Sequence, residues 1–297
     1  VKRSIVVGYD GSDQSRVALE WAAGQAVLEQ RPLHLVHGWI WPLITHDLGP
    51  VDGVADSGLK HAAEAVLADG ENRARQLAPG QEVKTSLIAG VASEVLARMS
   101  QDAHLVVVGS RGLGGFLGLL VGSVSLKLAT TAHCPVVVVR TKEAPDGPVL
   151  IGVDGSAKSE TALDDAISLA MLWDAPLKIM HVRDDVRLFG RNHSYPGSEV
   201  RAMEIVSEGV VRARAAAPDL VIETALVTGH SVAGTILDAS GSARILVVGE
   251  TGQGKFLGAV GSTAQTILHH ATGNILISRR PRDEGRALSF APSTASS

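Results

Sequence analysis

Residues 105–123 read LVVV followed by GSRGLGGFLGLLVGS, Gly109 to Ser123, and the reading of the whole chain turns on this stretch. Leu105-Val106-Val107-Val108 is a continuous apolar run rich in β-branched residues, the pattern of a strand buried on both faces. Val124 to Ala132 follows, with Leu126, Leu128 and Ala129 spaced to face a core from a short helix. The order is therefore strand, glycine-rich loop, helix start. Backbone N–H groups at a helix N-terminus, backed by the positive end of the helix dipole, suit an anion. Glycines let the backbone approach it closely. A merely flexible glycine-rich loop is the competing reading of this stretch taken alone.

A second copy favours the first reading. Ile245-Leu246-Val247-Val248 is another apolar strand, followed by GETGQGKFLGAVGS from Gly249 to Ser262. Val7-Gly8-Tyr9-Asp10-Gly11-Ser12 recurs as Ile151-Gly152-Val153-Asp154-Gly155-Ser156, and Leu35-Val36-His37 as Ile179-Met180-His181. The period is too long for a solenoid, so the chain reads as a duplicated domain of about 140 residues per copy.

Working outward, short apolar strands alternate with helical patterns. In the first copy Ser4–Gly8 reads as a strand. Asp10-Gly11-Ser12 is turn chemistry, with Ser12 able to cap the helix that follows. That helix, from Asp13 to Gln30, carries Val17, Trp21, Ala22 and Leu28 at helical spacing. Leu33–Gly38, Glu82–Ala89 and Pro135–Arg140 read as further strands; Gly58–Leu77 and Ala92–Ser100 read as helices. Pro42, Gly49, Pro50 and Gly53 mark a long loop after the second strand. The expected division is a first domain over 1–141, a linker over 142–148, a second domain over 149–280 and a disordered tail over 281–297. Each copy alternates five strands with four helices, which argues an α/β fold with an open parallel sheet flanked by helices. With strand order 3-2-1-4-5, ligands belong beyond the carboxyl ends of strands one and four, where the order reverses. Asp10 ends strand one and Gly109 ends strand four, so two separate motifs fall on one crevice.

Composition narrows the function classes. The 297 residues are 45% hydrophobic and 20% charged, ordinary for a globular chain with two cores. A net charge of −4 and 3% aromatics give no footprint for nucleic acid. Cys134 is the single cysteine, so no intramolecular disulfide forms, and a reducing compartment fits. Lys2 and Arg3 precede an apolar run that Gly8 to Gly11 ends too early for a signal sequence or a membrane span. The expectation is a cytoplasmic protein without a membrane partner.

Here the chain resembles a tandem universal stress protein, of the universal stress protein A family. Gly109, Gly112, Gly122 and Ser123 fit that family's ATP-binding signature of Gly, two residues, Gly, nine residues, Gly and Ser or Thr, without a gap. The resemblance covers the chain to about Arg280, and the duplicated Asp-Gly-Ser strengthens it. It implies a Rossmann-like sheet and ATP, with magnesium, as the ligand. It also implies a stress-linked nucleotide-sensing or regulatory role. By the same resemblance Asp10, with Gly11 and Ser12, lies near the adenine, and Gly38 presents strand-two backbone to the base. Val124 and Ser125 match positions that complete the phosphate and ribose contacts; Arg111, read from its charge rather than from the resemblance, would lie against the phosphates and screen them. In the second copy the matching positions are Asp154, Val182, Gly249, Gly252, Gly261 and Ser262. That copy departs from the signature: only eight residues separate Gly252 from Gly261, and Glu250-Thr251 stand where the first has Ser110-Arg111. The shorter loop and the acidic residue predict weaker ATP binding there, with AMP or adenosine retained, although Lys255 partly offsets the charge.

Other readings stay beside these. Asp10 also serves as a turn or cap residue, Arg111 as a solvated surface group, and Ser123 and Ser125 as helix caps. Neither serine sits in a Gly-x-Ser-x-Gly elbow, so neither is a nucleophile. His37 and His181 recur at matching strand ends, which favours structural hydrogen bonding over catalysis. His269-His270 are adjacent and cannot chelate as an i, i+4 pair. Asp164-Asp165 and Asp184-Asp185 read as solvated. Gly249 to Lys255 matches the first seven positions of a Walker A loop, but Phe256 replaces the magnesium-holding hydroxyl. A P-loop NTPase is therefore set aside. With no positioned base, nucleophile or metal cluster, turnover is limited at most to slow ATP hydrolysis. A nucleotide-free interaction scaffold of the same fold is the alternative, and the regulatory protein partner is unknown. The apolar edges Val136–Val139 and Ile275–Ile277 predict intramolecular domain pairing, and a homodimer by the same logic. Cutting the linker checks this, since halves that separate as stable monomers contradict it.

Overall fold

The computed structural model describes residues 2–39, 58–112, 121–141, 146–184, 187–188, 191–192, 198–250 and 261–280. The expected loop after strand two, the tail over 281–297, Asp185 and most of the linker lie outside them. The chain divides into two compact units, Val1–Lys142 and Glu143–Ser297.

In the first unit the chain order is β1 (Ile5–Gly8), α1 (Asp13–Glu29), β2 (Leu33–Trp39), α2 (Gly58–Leu77), β3 (Val83–Ala89), α3 (Ala92–Met99), β4 (Leu105–Gly109), α4 (Ser123–Thr131) and β5 (Val136–Val139). The strands lie side by side as β3-β2-β1-β4-β5, all parallel. This is the order 3-2-1-4-5, and the sense of winding reverses between β1 and β4. Ile5, Val7, Leu33, Leu35, Leu105, Val106 and Val107 are fully buried. Sheets covered on both faces need such uninterrupted apolar strands rather than alternating ones.

The second unit repeats the course: β6 (Val149–Gly152), α5 (Ala157–Trp173), β7 (Leu177–Asp184), α6 (Ser198–Ala216), β10 (Ile222–Gly229), α7 (Val232–Ser240), β11 (Ile245–Gly249), α8 (Ser262–His270) and β12 (Ile275–Ser278). Its parallel order is β10-β7-β6-β11-β12, the same topology. Two short strands, β8 (Arg187–Leu188) and β9 (Arg191–Asn192), form an antiparallel ribbon within a stretch expected to be loop.

Two expectations need correction. The buried face of α1 is Ala18, Leu19, Ala22, Ala23 and Ala26, while Leu28 is 44% exposed. Small alanines let the helix settle close to the sheet, so the larger side chains are turned aside. Asp165 is not solvated but fully buried on α5. It accepts a hydrogen bond from Ser278 Oγ at 2.7 Å and pairs with Arg280, both beyond or at the end of β12. Burial raises its carboxyl above the ordinary range, and Arg280 opposes that rise.

Candidate functional site

The turn after β1 is built from its sequence. Gly11 has φ +79, a left-handed conformation that L side chains resist, and Val66 packs against it. That turn lets Asp10 Oδ1 accept from Ser12 N at 3.0 Å and from Ser12 Oγ at 2.6 Å. Ser12 in turn caps α1, accepting from Ser15 N at 3.2 Å. The second copy reproduces the arrangement with Asp154, Gly155 at φ +75, and Ser156 capping α5. His37 Nδ1 lies 2.7 Å from Tyr9 O, and His181 Nδ1 lies 2.7 Å from Val153 O. These histidines fix the carboxyl end of strand one in each copy, the structural role their recurrence suggested.

Across the reversal point, β4 delivers the glycine loop. Asp10 and Gly112 meet closely: a Cβ on Gly112 would stand 2.5 Å from Asp10 Oδ2. Gly109 packs on the first turn of α1, where a Cβ would stand 2.7 Å from Gln14 O. The loop is closed at its root by Gly122 N donating to Ser110 O at 2.7 Å. Ser123, Val124 and Ser125 then open α4, whose N-cap is Gly122 and so, unlike Ser12 of α1, has no side chain to cap with. Its first-turn N–H groups have no intrahelical partners, as at any helix start, and lie at the positive end of the helix dipole. Ser123 is exposed, whereas Ser125 is buried and donates its hydroxyl to Gly109 O at 3.0 Å. So Ser125 ties the first turn of α4 to the end of β4, and neither serine is the N-cap. Gly38 lies at the end of β2 against α3, where a Cβ would come 2.7 Å from Ala92 Cα. Its lack of a side chain thus has a packing cause.

Sequence reasoning passed over Arg140. It follows β5 directly, opposite Ser110, since Gly109 pairs with Val139 in the strand register. Burial, and then the charge of exposed Arg111, push its guanidinium down to about 10, so it remains a cation at neutral pH. Two cations and an uncapped helix start thus share the carboxyl end of β4. The available signal was an arginine closing an all-valine strand.

The second crevice keeps the backbone and changes the charges. Gly261 N donates to Glu250 O at 2.8 Å, matching the closure in the first copy although the loop is one residue shorter. The root of the shorter loop therefore closes as in the first copy. Start-of-helix Ser262 is exposed, α8 has no side-chain cap, and Gly249 packs on Lys158 as Gly109 does on Gln14. Val182, the counterpart of Gly38, is buried in the core. The Glu250 carboxylate is held by Lys158 and by Arg279, the latter at 3.0 Å. Gly252, Thr251 and Lys255 lie outside the described residues. Among the described residues no helix is long and apolar enough to cross a membrane, and no group of three His, Cys, Asp or Glu side chains converges as a metal set.

Comparison with known proteins matches this architecture. The model of the universal stress protein family matches residues 2–140 and again 147–279. Universal stress protein Rv2623 of Mycobacterium tuberculosis is 32% identical over 291 residues, covering 93% of this chain and 96% of its own. Universal stress protein Rv2005c of the same organism is 31% identical over 304 residues, with 94% and 98% covered. The crystal structure of a universal stress protein from Archaeoglobus fulgidus superposes with a TM-score of 0.70 at 18% identity, covering 93% of this chain and 98% of that one. A strand order shared by both halves, a duplicated Asp-Gly-Ser turn and two family matches agree: the chain belongs to the universal stress protein family, as a tandem of two such domains.

Proposed function

We propose that this chain is an ATP-binding regulatory module whose principal site is the first-domain crevice between β1 and β4. One observation carries the reading: Asp10, Gly112 and the uncapped start of α4 converge at the reversal point, beside Arg111 and Arg140. A carboxylate at one end accepts from the adenine amino group or the ribose. At the other end, backbone N–H groups and two guanidinium groups receive phosphates, and bound phosphate relieves the repulsion between the two cations. Gly112 leaves the space that a side chain would fill. Magnesium would accompany the phosphates and screen their charge. Ser123 and Val124 offer first-turn N–H groups to the phosphates. The role assigned is sensing and signalling through nucleotide occupancy, with hydrolysis slow if it occurs.

The test is direct. Protein purified as the full chain is heat-denatured and the supernatant chromatographed for adenine nucleotides, and emptied protein is titrated calorimetrically with ATP. Adenine nucleotide in the extract and saturable ATP heat are expected; an empty extract with no heat overturns the reading. A nucleotide-free scaffold is the second reading. It is favoured by the internal satisfaction of Asp10 Oδ1 by Ser12 and of the Ser125 hydroxyl by Gly109 O.

A further inference from the structure

The second crevice contains its own anion. The ends of β11 and β12 run in register, Gly249 opposite Ser278, so Glu250 and Arg279 follow side by side. Lys158 reaches the same carboxylate from the first turn of α5. The Glu250 and Arg279 side chains are only 14% and 13% exposed, so this pairing is poorly screened by solvent. In the first copy the matching positions hold Gln14, Ser110 and Arg140, with Ser110 Oγ donating to Gln14 Oε1 at 3.1 Å. No carboxylate stands among those three. The duplication has thus placed a carboxylate and a second cation where the first copy keeps a neutral hydrogen bond.

We propose that Glu250 is a specificity-determining residue of the second domain: by holding Lys158 and Arg279 it restricts that domain to adenine ligands lacking a polyphosphate. The inference rests on the adenine-site reading above and assigns a ligand class to each copy. A polyphosphate entering the second crevice meets a fixed negative charge at the root of the loop. To use the two cations it must displace a carboxylate already held by both. In the first crevice the three equivalent positions, Gln14, Ser110 and Arg140, carry no carboxylate. The strand-one turn on the base side is the same in both copies, with Asp154, Gly155 and Ser156 in the geometry of Asp10, Gly11 and Ser12, while buried Val182 stands where the first copy has Gly38. A nucleoside therefore has what it needs in either domain, and a triphosphate only in the first.

Calorimetric titration of the full chain, once with adenosine and once with ATP, tests this. The wild type is expected to take two equivalents of adenosine but one of ATP. Glu250→Ser, which installs the first-copy residue, is expected to tighten ATP at the second site by about tenfold or more and so reveal a second equivalent. Glu250→Gln preserves length and removes the charge, keeping one acceptor oxygen for Lys158 or Arg279 but not both, and is expected to do the same even if the shorter serine disturbs the loop. Two equal ATP equivalents in the wild type overturn the proposal. So does one adenosine equivalent, or an ATP count of one in both variants. If neither ligand binds the wild type at all, the adenine-site reading falls first, and the inference falls with it.

Discussion

The two copies share a skeleton and differ in what locks it. In each, a left-handed residue ends the first helix, Gln30 at φ 51 and Asp174 at φ 50. The last helical residue before it faces the residue that opens strand four. In the first copy these are Glu29 and His104, with Glu29 Oε2 2.7 Å from His104 Nε2 and both side chains almost wholly buried. Gln25 and Arg31 also donate to that carboxylate, at 2.6 and 2.8 Å. In the second copy the same positions are Trp173 and Arg244, and the guanidinium lies 4.5 Å from the ring centroid. The backbone around them is conserved in geometry: His104 N donates to Ser4 O at 2.9 Å and Arg244 N to Pro148 O at 3.0 Å. Topology constrains which positions meet, and leaves open whether charge or an aromatic face joins them.

This difference can be broken by paired substitutions. Glu29→Ala should have the largest effect, a loss of about 3–5 kcal/mol, because it strands Arg31 and His104 without their buried carboxylate. Arg244→Ala should cost only about 0.5–1 kcal/mol, the worth of a partly solvated cation–π contact. Denaturant unfolding of the full chain monitors both, and equal losses would show that the two joints are energetically alike. Next in size is ligand stabilisation. Gly122 has an extended backbone, φ −85 and ψ 160, open to any residue, so Gly122→Val should fold while covering the start of α4. ATP at about a hundred times its dissociation constant stabilises by roughly 2.7 kcal/mol, and this increment should vanish. Gly261→Val should remove much less of it. A thermal shift with ATP that survives Gly122→Val would contradict the assignment of the site.

What the sequence disclosed, and what it hid, follows the range of the interactions. Strand runs such as Val136–Val139, the Asp-Gly-Ser turns and the capping serines are local, and each appears where its pattern placed it. Asp165 looked like a surface residue because its partners, Ser278 and Arg280, lie more than a hundred positions away. Glu29 and His104 were silent for the same reason. Of the buried face of α1 only Ala22 was legible, because alanine, which packs closest, carries the weakest apolar signal. At the candidate site, the glycine spacing and Asp10 were legible, whereas Arg140, Gln14, Lys158 and Arg279 enter only through strand register and helix approach.

The shared turn sharpens the comparison from the opposite side, since it should respond identically in both copies. Gly11→Ala and Gly155→Ala each force a side chain into the left-handed region, at about 1–2 kcal/mol. Each also crowds a neighbour, with Val66 3.1 Å and Ile205 3.0 Å from the new Cβ. Unequal losses in unfolding experiments would show that the two turns are not equivalent. The smallest effect concerns acid. Burial, and then Lys84, lower the affinity of His34 for a proton below its ordinary value near 6.5. The folded state keeps the ring neutral where the unfolded chain takes up the proton. Stability is thus full above that value and declines as pH falls through it. Lys178 occupies the matching position on β7, so the second copy has no imidazole there. His34→Gln should flatten the decline in melting temperature between pH 7 and pH 5, and an unchanged slope would assign the acid sensitivity elsewhere.

The hydrogen bonds from Gly122 N to Ser110 O and from Gly261 N to Glu250 O make each glycine loop an exchangeable cassette. Eleven residues separate the anchors in one copy and ten in the other, yet both bonds form. Loop-closure entropy changes by less than about 0.1 kcal/mol for a single residue at this length. Cassette length and composition are thereby uncoupled from the scaffold, so one copy's insert can change while both sheets and both loop roots stay as they are.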